Sequence, residues 1–451
     1  MVTCTERRES MICLYQHYNQ ESQDLHYSLN QIGVNCPVVV IEDNGFLPEH
    51  VYSPFRHYTE NKKHSGKPLY YNQLKVPDYW EIEGNQHEAK VMDLGVVRAI
   101  IRYAFPKHLR LIQTVEWLDM NGKVRSIDRY NQYGWRFAQT IFTSDTKPIN
   151  TTYYTQDEKE ILVENHQVGT LSLNDGQHVR LFANRIEFIH FYLKNAQFNL
   201  DKIIYNSLAE PFLVAYYLKE TGEDTLVWQE NIQNEIPGNM EILLQKNCNR
   251  LTRVLVQNKG VYQRLNELMN AEQKEKCQFI GNIYPIKRQN TLTPTILIYT
   301  NSDQIEQIEP LIQSLPMYYF NIAALTEMSS HLMALQSYPN VHLFPNVTMA
   351  NIHKLNTTCD IYLDINHYDE VVSALRTAFE HNMLLFAFSN TVHHKSYIND
   401  ALIFNPEDVH EMIATLQHIH TNKEEMINLL NAQYTSSDHQ SSEDYHRIWE
   451  N

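Results

Sequence analysis

Glycine is scarce in this chain, 13 in 451 residues, well below the roughly 7% of an average protein. None follows Gly281, and nowhere do two glycines stand as GxG. Loops that bring successive backbone N–H groups against a phosphate need that spacing, so the dinucleotide fingerprint and the Walker loop are excluded. The six cysteines (Cys4, Cys13, Cys36, Cys248, Cys277, Cys359) form no CxxC pair, which argues against a disulfide framework or a thiolate metal site and for a reducing compartment. Apolar runs such as Val38 to Ile41 and Met383 to Phe388 fall far short of the roughly 20 residues that span a bilayer. Positive charge is also short: 37 basic against 53 acidic side chains leave a net −16, a field that repels a nucleic-acid backbone. No GxSxG elbow is present, so a Ser-His-Asp reading has no support. His393-His394 and the pair His418 and His420 lack a third ligand, so neither a metal nor a cofactor is expected. The opening residues 1–10, MVTCTERRES, precede no apolar core of signal-peptide length and are expected to form a disordered lead-in.

What is present divides into three patterns. Gln20 to Ile32 places Leu25, Leu29 and Ile32 on one helical face and stops at Gly33, and the β-branched run Pro37 to Ile41 predicts a strand covered on both sides. From Lys67 to Ala183 the chain reads as an antiparallel meander. Leu109, Leu111, Val115 and Trp117 alternate with polar neighbours, as do Trp135, Phe137 and Ile141, around an Asp119-Met120-Asn121-Gly122 hairpin expected to be type I′. Beyond Ala183, helix and strand alternate twice, before and after about residue 283, which predicts parallel sheets with helices on both faces. The second run places strands near 295–300, 318–325, 341–345, 360–365, 384–389 and 402–404, then a capped helix start at Asn405-Pro406-Glu407-Asp408. The expected fold class is α/β: two Rossmann-like doubly wound domains (11–66 with 184–282, and 283–433), an inserted antiparallel β-meander domain (67–183), and a disordered tail (434–451).

Met11-Ile12 with Tyr18-Asn19-Gln20-Glu21, Gln23-Asp24-Leu25-His26, Val40 to Pro48, Lys67-Pro68-Leu69-Tyr70, Pro106 to Leu111 and Tyr205-Asn206-Ser207 resemble the glycosyltransferase-stabilising subunits of the bacterial accessory Sec system. The resemblance runs from Met11 to about Gln433. It implies a GT-B-like architecture, and a non-catalytic partner of an active glycosyltransferase in a hetero-oligomer with two copies of each. Together the two attach the first sugar, usually N-acetylglucosamine, to serine-rich repeat adhesins. It further implies a cytoplasmic location with at most peripheral membrane association. The alternative is an active retaining GT-B enzyme with an atypical donor site.

Retaining enzymes of this architecture carry two glutamates at the donor site. If Glu380 is the second, the position eight residues earlier holds Val372, so the sugar-side carboxylate is absent or displaced. Glu380 itself is expected to be a solvated carboxylate on a helix from Asp369 to Glu380. Between Arg288 and Lys354 there is no Lys or Arg, and from Asn282 onward 7 basic residues face 19 acidic ones, a balance of −12. A diphosphate needs cations or convergent donors there. The meander offers a surface instead: basic and aromatic residues crowd between Arg98 and Arg136, and Arg110, Arg125, Arg129, Tyr130 and Trp135 are the candidate partner contacts. A solvated sheet face with core aromatics is the plain alternative. For the acceptor, Tyr15, His17, Tyr18 and Asn19 after the first strand, and Asn366, His367 and Tyr368 after Ile361 to Ile365, supply hydroxyl, imidazole and amide groups suited to an uncharged chain. Ordinary loop polarity would look the same.

Overall fold

The computed structural model describes the chain except residues 1–10, 61–65, 246–249, 372 and 451; the expected lead-in therefore lies outside the described residues. The chain divides into two compact units, Met1–Ile280 and Gly281–Asn451. Among the described residues no helix is long and apolar enough to cross a membrane.

The first unit opens with β1 (Ile12–Tyr15), β2 (Val38–Val40) and β3 (Val51–Tyr52). Ten antiparallel strands follow: β4 (Glu81–Gly84), β5 (Glu88–Asp93), β6 (Val96–Tyr103), β7 (Ile112–Leu118), β8 (Val124–Tyr130), β9 (Arg136–Phe142), β10 (Pro148–Tyr154), β11 (Glu160–Asn165), β12 (Leu171–Asn174) and β13 (Val179–Phe182). The chain then returns to the parallel sheet with β14 (Lys202–Tyr205), β15 (Glu223–Trp228), β16 (Leu251–Val256) and β17 (Cys277–Phe279), in the order β17-β16-β15-β14-β1-β2-β3. Every side chain of β1 and β2 is buried, as helices on both faces require. Helix α1 (Gln20–Gln31) is capped by Asn19, whose side chain accepts the Ser22 N–H, and the chain leaves through Gly33 at φ +79°.

In the ten-stranded sheet each strand pairs with its sequence neighbour. Its two halves are covered on opposite faces. Ala138, Tyr153, Leu162, Leu171, Leu173 and Phe182 share one core with the parallel sheet through α2 (Pro54–Thr59) and α3 (Arg185–Asn195). Register carries the other face from Gln139 through Asp128 and Val115 to Ile101, where Ala89, Val91, Ala99, Ile101 and Val115 pack beneath Leu69, Leu74 and Trp80. This arrangement explains why Ile141 is 42% exposed although it was expected to alternate inward with Phe137: its face at that end of β9 has no covering layer. The Asp119 hairpin also departs from expectation. Of its residues only Gly122 has positive φ (+77°), so the turn is not type I′, and the Asp119 carboxylate holds it by accepting the Asn121 and Lys123 N–H groups. Gly45 marks the seam between the two sheets. A Cβ there would lie 2.4 Å from the Tyr130 carbonyl oxygen, and its own carbonyl accepts the Gln132 N–H at 2.8 Å.

Cys13 and Cys36 are joined as a disulfide, contrary to the cysteine reading. The 23-residue separation carries no motif; strand pairing brings them together, because Cys13 sits opposite Val38 in the β1–β2 register, and their Cα atoms are 6.1 Å apart.

The second unit is a six-stranded parallel sheet of β18 (Thr295–Thr300), β19 (Tyr319–Ala324), β20 (Val341–Phe344), β21 (Ile361–Asp364), β22 (Leu384–Phe388) and β23 (Ile403–Phe404), ordered β20-β19-β18-β21-β22-β23. The segment after Tyr434 is a correction: one helix continues to Ser436 and another spans Ser442–Glu450, with Tyr445 fully buried. Polar composition hid the role of this segment as a clasp. Asn282 N–H donates to Asp438 O (2.9 Å) and Gln440 N–H to Asn282 O (2.8 Å), so closely that a Cβ on Gly281 would meet Asp438 O at 2.0 Å. The entry to β18 is fixed by Asp360, which is fully buried and accepts from Thr291 N–H and Oγ1, Thr293 N–H and Oγ1, and Arg288 Nη1 (2.7 Å). Burial would raise the Asp360 carboxyl pKa, but these donors outweigh it and lower the value.

Asp360→Ala is therefore expected to destabilise the second unit by roughly 3–5 kcal/mol, since it strands the Arg288 guanidinium. Because the folded pKa is depressed, the wild-type contribution is present above the ordinary carboxylate range and lost as pH falls through the folded value. Denaturant unfolding followed by hydrogen exchange on 281–451 checks both statements.

Candidate functional site

In open parallel sheets, ligands meet the carboxyl ends of the strands where the strand order reverses. In the first unit that point lies between β1 and β14. A carboxamide follows each neighbouring strand: Gln16 after β1, Asn206 after β14, Gln229 after β15 and Gln257 after β16. Asn206, Gln229 and Gln257 are linked through their side chains, and Gln16 joins them through its backbone while its carboxamide donates to Glu210. Gln16 N–H donates to Asn206 Oδ1 (3.4 Å), Asn206 Nδ2 to Gln229 Oε1 (2.9 Å), and Gln229 Nε2 to Gln257 Oε1 (2.5 Å). Ser22 Oγ accepts from Asn206 Nδ2 at 3.0 Å and donates to His17 O at 2.6 Å, tying α1 to the row. Ser207 Oγ and Trp228 Nε1 both donate to Glu230, at 2.6 and 3.0 Å.

The guanidinium at this edge, Arg185, is not available to an anion. It lies between Glu42 (2.8 Å), Glu210 (3.3 Å) and Glu164 (3.8 Å) and over the Phe55 ring at 4.7 Å. Burial raises the Glu210 pKa against the opposing pull of Arg185 and Gln16. The edge can offer hydrogen bonds to a neutral polar chain, and its Arg185 guanidinium is already paired.

The sequence candidates separate by burial. Tyr15 is fully buried in β1 and Asn19 is spent as the α1 cap, so neither meets the expectation of a binding side chain. His17 is exposed and Tyr18 half-buried, with burial raising the Tyr18 pKa. In the second unit Asn366 is 3% exposed and serves its own loop, donating to Asn301 Oδ1 (3.1 Å) and Tyr368 O (3.0 Å). His367 Nε2 and Asn390 Nδ2 both meet Glu306 Oε2, at 2.7 and 2.8 Å. Tyr368 is 48% exposed.

Val372 lies outside the described residues. Glu380 is not the solvated carboxylate expected of it. It pairs with Arg376 Nε (2.7 Å) and Lys287 Nζ (2.6 Å), while Arg376 stacks on Tyr284 and Tyr397. Its helix is Ala374–Glu380 rather than Asp369–Glu380. With Arg288 held by Asp360, three of the few cations of this unit are bound to its own carboxylates.

Of the meander candidates, Arg125 is exposed, and Arg110 is half-buried in the left-handed conformation at φ +50°. Arg129 starts a cross-strand ladder, Nη1 to Thr140 Oγ1 (2.7 Å), then Thr140 to Thr151 (2.8 Å) and Thr151 to His166 (2.8 Å). Tyr130 packs on the core beneath Trp80, and Trp135 on the core shared with the parallel sheet. The amide row was missed, although its signal, Gln or Asn directly after four strands, was in the sequence.

Four family models match the chain: the GtfB N-terminal domain (12–58), the GtfB middle domain (80–183), the GtfB third domain (185–268) and the GftB/GlyA-F C-terminal domain (296–433). A curated relative from Streptococcus agalactiae, the UDP-N-acetylglucosamine–peptide N-acetylglucosaminyltransferase stabilizing protein GtfB, is 40% identical over 97% of this chain and 98% of its own. A chain in the crystal structure of a GtfA/B complex bound to UDP and GlcNAc superposes with a TM-score of 0.90 at 40% identity, over 98% of this chain and 99% of that one. A chain of accessory secretory protein 1, 2 and 3 from Streptococcus pneumoniae shares the fold, with a TM-score of 0.58 at 12% identity over 97% and 93% of the two chains. The fold is GT-B-like, with the antiparallel sheet added.

His393 supplies a pH test of the second unit. Burial would lower its pKa, but Nδ1 bonds Asp364 Oδ1 (2.6 Å) and Nε2 bonds Tyr368 O (2.7 Å), and these raise it to about 9. A raised folded value means that the stabilisation is complete below the ordinary histidine range and is lost as pH rises from about 6.5 through about 9. Allowing for solvent screening at a partly exposed ring, the loss is about 1–2 kcal/mol. Melts at pH 6.5, 8 and 9.5 are expected to fall in the wild type and stay level in His393→Gln.

Proposed function

Because the chain belongs to the GtfB family of glycosyltransferase-stabilizing proteins, we propose that it is a non-catalytic co-activator of a protein O-glycosyltransferase. In this reading the partner transfers N-acetylglucosamine from UDP-N-acetylglucosamine to Ser and Thr of a serine-rich repeat adhesin of the accessory Sec pathway. The subunit stabilises the partner and holds the acceptor, in a cytoplasmic hetero-oligomer of two copies each that is at most peripheral to the membrane. The observation that carries the reading is the neutralised state of the cations: Arg185, Arg288, Arg376 and Lys287 are all committed to internal carboxylates. A nucleotide diphosphate needs such groups free. The amide row suits an extended polar peptide instead, since carboxamides both donate and accept without demanding charge. Keeping many acceptor hydroxyls near the partner's active site raises their effective concentration with no chemistry on this chain. The meander, with Arg110 and Arg125 on its surface, is the proposed partner-docking element.

Calorimetry of the isolated chain with UDP-N-acetylglucosamine is expected to give no saturable heat, and transfer to a serine-rich peptide to require the co-purified partner. Micromolar donor binding, or product formed by the chain alone, would overturn the non-catalytic reading. For acceptor contacts, the His17→Ala/Tyr18→Ala variant and, separately, Tyr368→Ala should each lower the affinity for an unglycosylated serine-rich peptide severalfold in fluorescence anisotropy. Unchanged affinity removes these residues from the acceptor site.

A further inference from the structure

The Cys13–Cys36 disulfide closes a loop that holds the end of β1, residues 16–19, helix α1 and the turn at Gly33. Inside this loop lie His17 and Tyr18, and also Ser22, whose hydroxyl ties α1 to Asn206. Helix α1 is held at its two ends by different chemistry. Its first turn is fixed by hydrogen bonds, Asn19 Oδ1 accepting the Ser22 N–H (3.0 Å) and Ser22 Oγ donating to His17 O (2.6 Å). Its last turn closes on itself, Gly33 N–H donating to Asn30 O (3.1 Å) and Val34 N–H to Leu29 O (3.0 Å). Beyond that turn the sulfur bridge joins the segment to β1.

The two sulfurs are not equivalent. Cys13 is 0% exposed within β1, between β14 and β2, where it pairs with Ile204 on one side and Val38 on the other. Cys36 is 7% exposed and sits in the connecting segment between exposed Asn35 and half-buried Pro37. Thiol–disulfide exchange requires a thiolate to reach the sulfur it attacks, and access here favours Cys36. Cys277 and Cys359 are free thiols buried in other parts of the chain, and burial pushes each up to about 12, which leaves few thiolates to compete. Opening the bridge leaves the fold its other supports. The Cys13–Val38 strand pairing, the Cys13 N–H bond to Pro37 O (2.9 Å) and the burial of Leu25 and Leu29 do not depend on it.

We propose that Cys13 and Cys36 form a reversible thiol–disulfide exchange site, with Cys36 as the sulfur attacked, whose state sets how firmly α1 and the His17-Tyr18 segment are held. In reduction a low-molecular-weight thiolate attacks the Cys36 sulfur, the S–S bond breaks with its electron pair going to Cys13, and Cys13 takes up a proton. A second thiolate then attacks the small-molecule sulfur of the mixed disulfide on Cys36. Cys36 leaves as a thiolate and is protonated, and the low-molecular-weight disulfide is released. Oxidation is the reverse: the two protein thiols give two electrons and two protons to that disulfide, which departs as two thiols. The closed loop has fewer conformations open to it, so the oxidised form presents His17 and Tyr18 on a more firmly held helix. The link to acceptor binding rests on the co-activator reading above; the exchange site does not.

The test equilibrates the full chain with oxidised glutathione or with dithiothreitol, then alkylates and peptide-maps each form and follows its hydrogen exchange. The oxidised chain is expected to yield a linked Cys13–Cys36 peptide, to melt several degrees higher, and to exchange the amides of residues 29–36 roughly tenfold more slowly than the reduced chain. In Cys13→Ala, Cys36 should take up one glutathione, while in Cys36→Ala, Cys13 should stay free. No linked peptide, or equal exchange in the two forms, overturns the site; glutathione on Cys13 but not on Cys36 overturns the order of attack. The first two readouts use the wild type alone, so they hold even if a variant misfolds. Fluorescence anisotropy with an unglycosylated serine-rich peptide should show severalfold tighter binding to the oxidised chain. Equal affinity overturns the link to the acceptor edge. If the peptide binds neither form while the linked peptide and slowed exchange persist, the acceptor-holding part of the co-activator reading falls and the exchange site stands.

Discussion

Phe55 is the contact on which the first unit depends. It sits on the short helix α2, stacks on Tyr153 of the antiparallel sheet at 4.6 Å and meets Phe188 of α3 at 5.3 Å, with the Arg185 guanidinium 4.7 Å above it. One ring thus touches the meander, the returning helix and the cation of the sheet edge. The two sheets consequently share a core and form one compact unit. Displacing Phe55 would move Arg185, and with it Glu42, Glu164 and Glu210, so packing and the electrostatics of the amide row are linked through a single aromatic side chain.

That linkage gives the molecule its chemical character. Cations are present in both units, yet at the carboxyl edge of the first sheet and around the helix Ala374–Glu380 they are turned inward onto carboxylates. What the first edge sets beside them is amide, hydroxyl and imidazole. Surfaces of that composition recognise through hydrogen bonds and stacking, which are short-ranged and demand shape. A chain of net charge −16 repels polyanions and leaves neutral polymers unhindered.

Much of the architecture was legible because periodicity survives in a linear string. The β-branched run at Val38, the strands at Thr295–Thr300 and Leu384–Phe388, and the alternation after Ala183 all appear where hydrophobic pattern placed them. The segment after Tyr434 was misread because its Ser, Asp, His and Gln residues resemble a solvated tail; its backbone instead pairs with Asn282 in an isolated bridge, which composition cannot register. The Asp119 turn was misread because Asn-Gly permits type I′, while the Asp119 carboxylate selects another turn by accepting two backbone N–H groups.

The sequence by itself determined the α/β class with its inserted antiparallel strands, the missing phosphate loops, and the shortage of cations after Asn282, because these follow from residue order and count. Which side chains are free to act was decided only by the tertiary structure. Tyr15 and His17 are two residues apart, yet one is sealed in the core and the other exposed. Cys13 finds Cys36 through strand register, and Glu380 finds Lys287 across 93 positions. Burial and pairing are properties of neighbours in space, and long-range contacts bring those neighbours from anywhere along the chain.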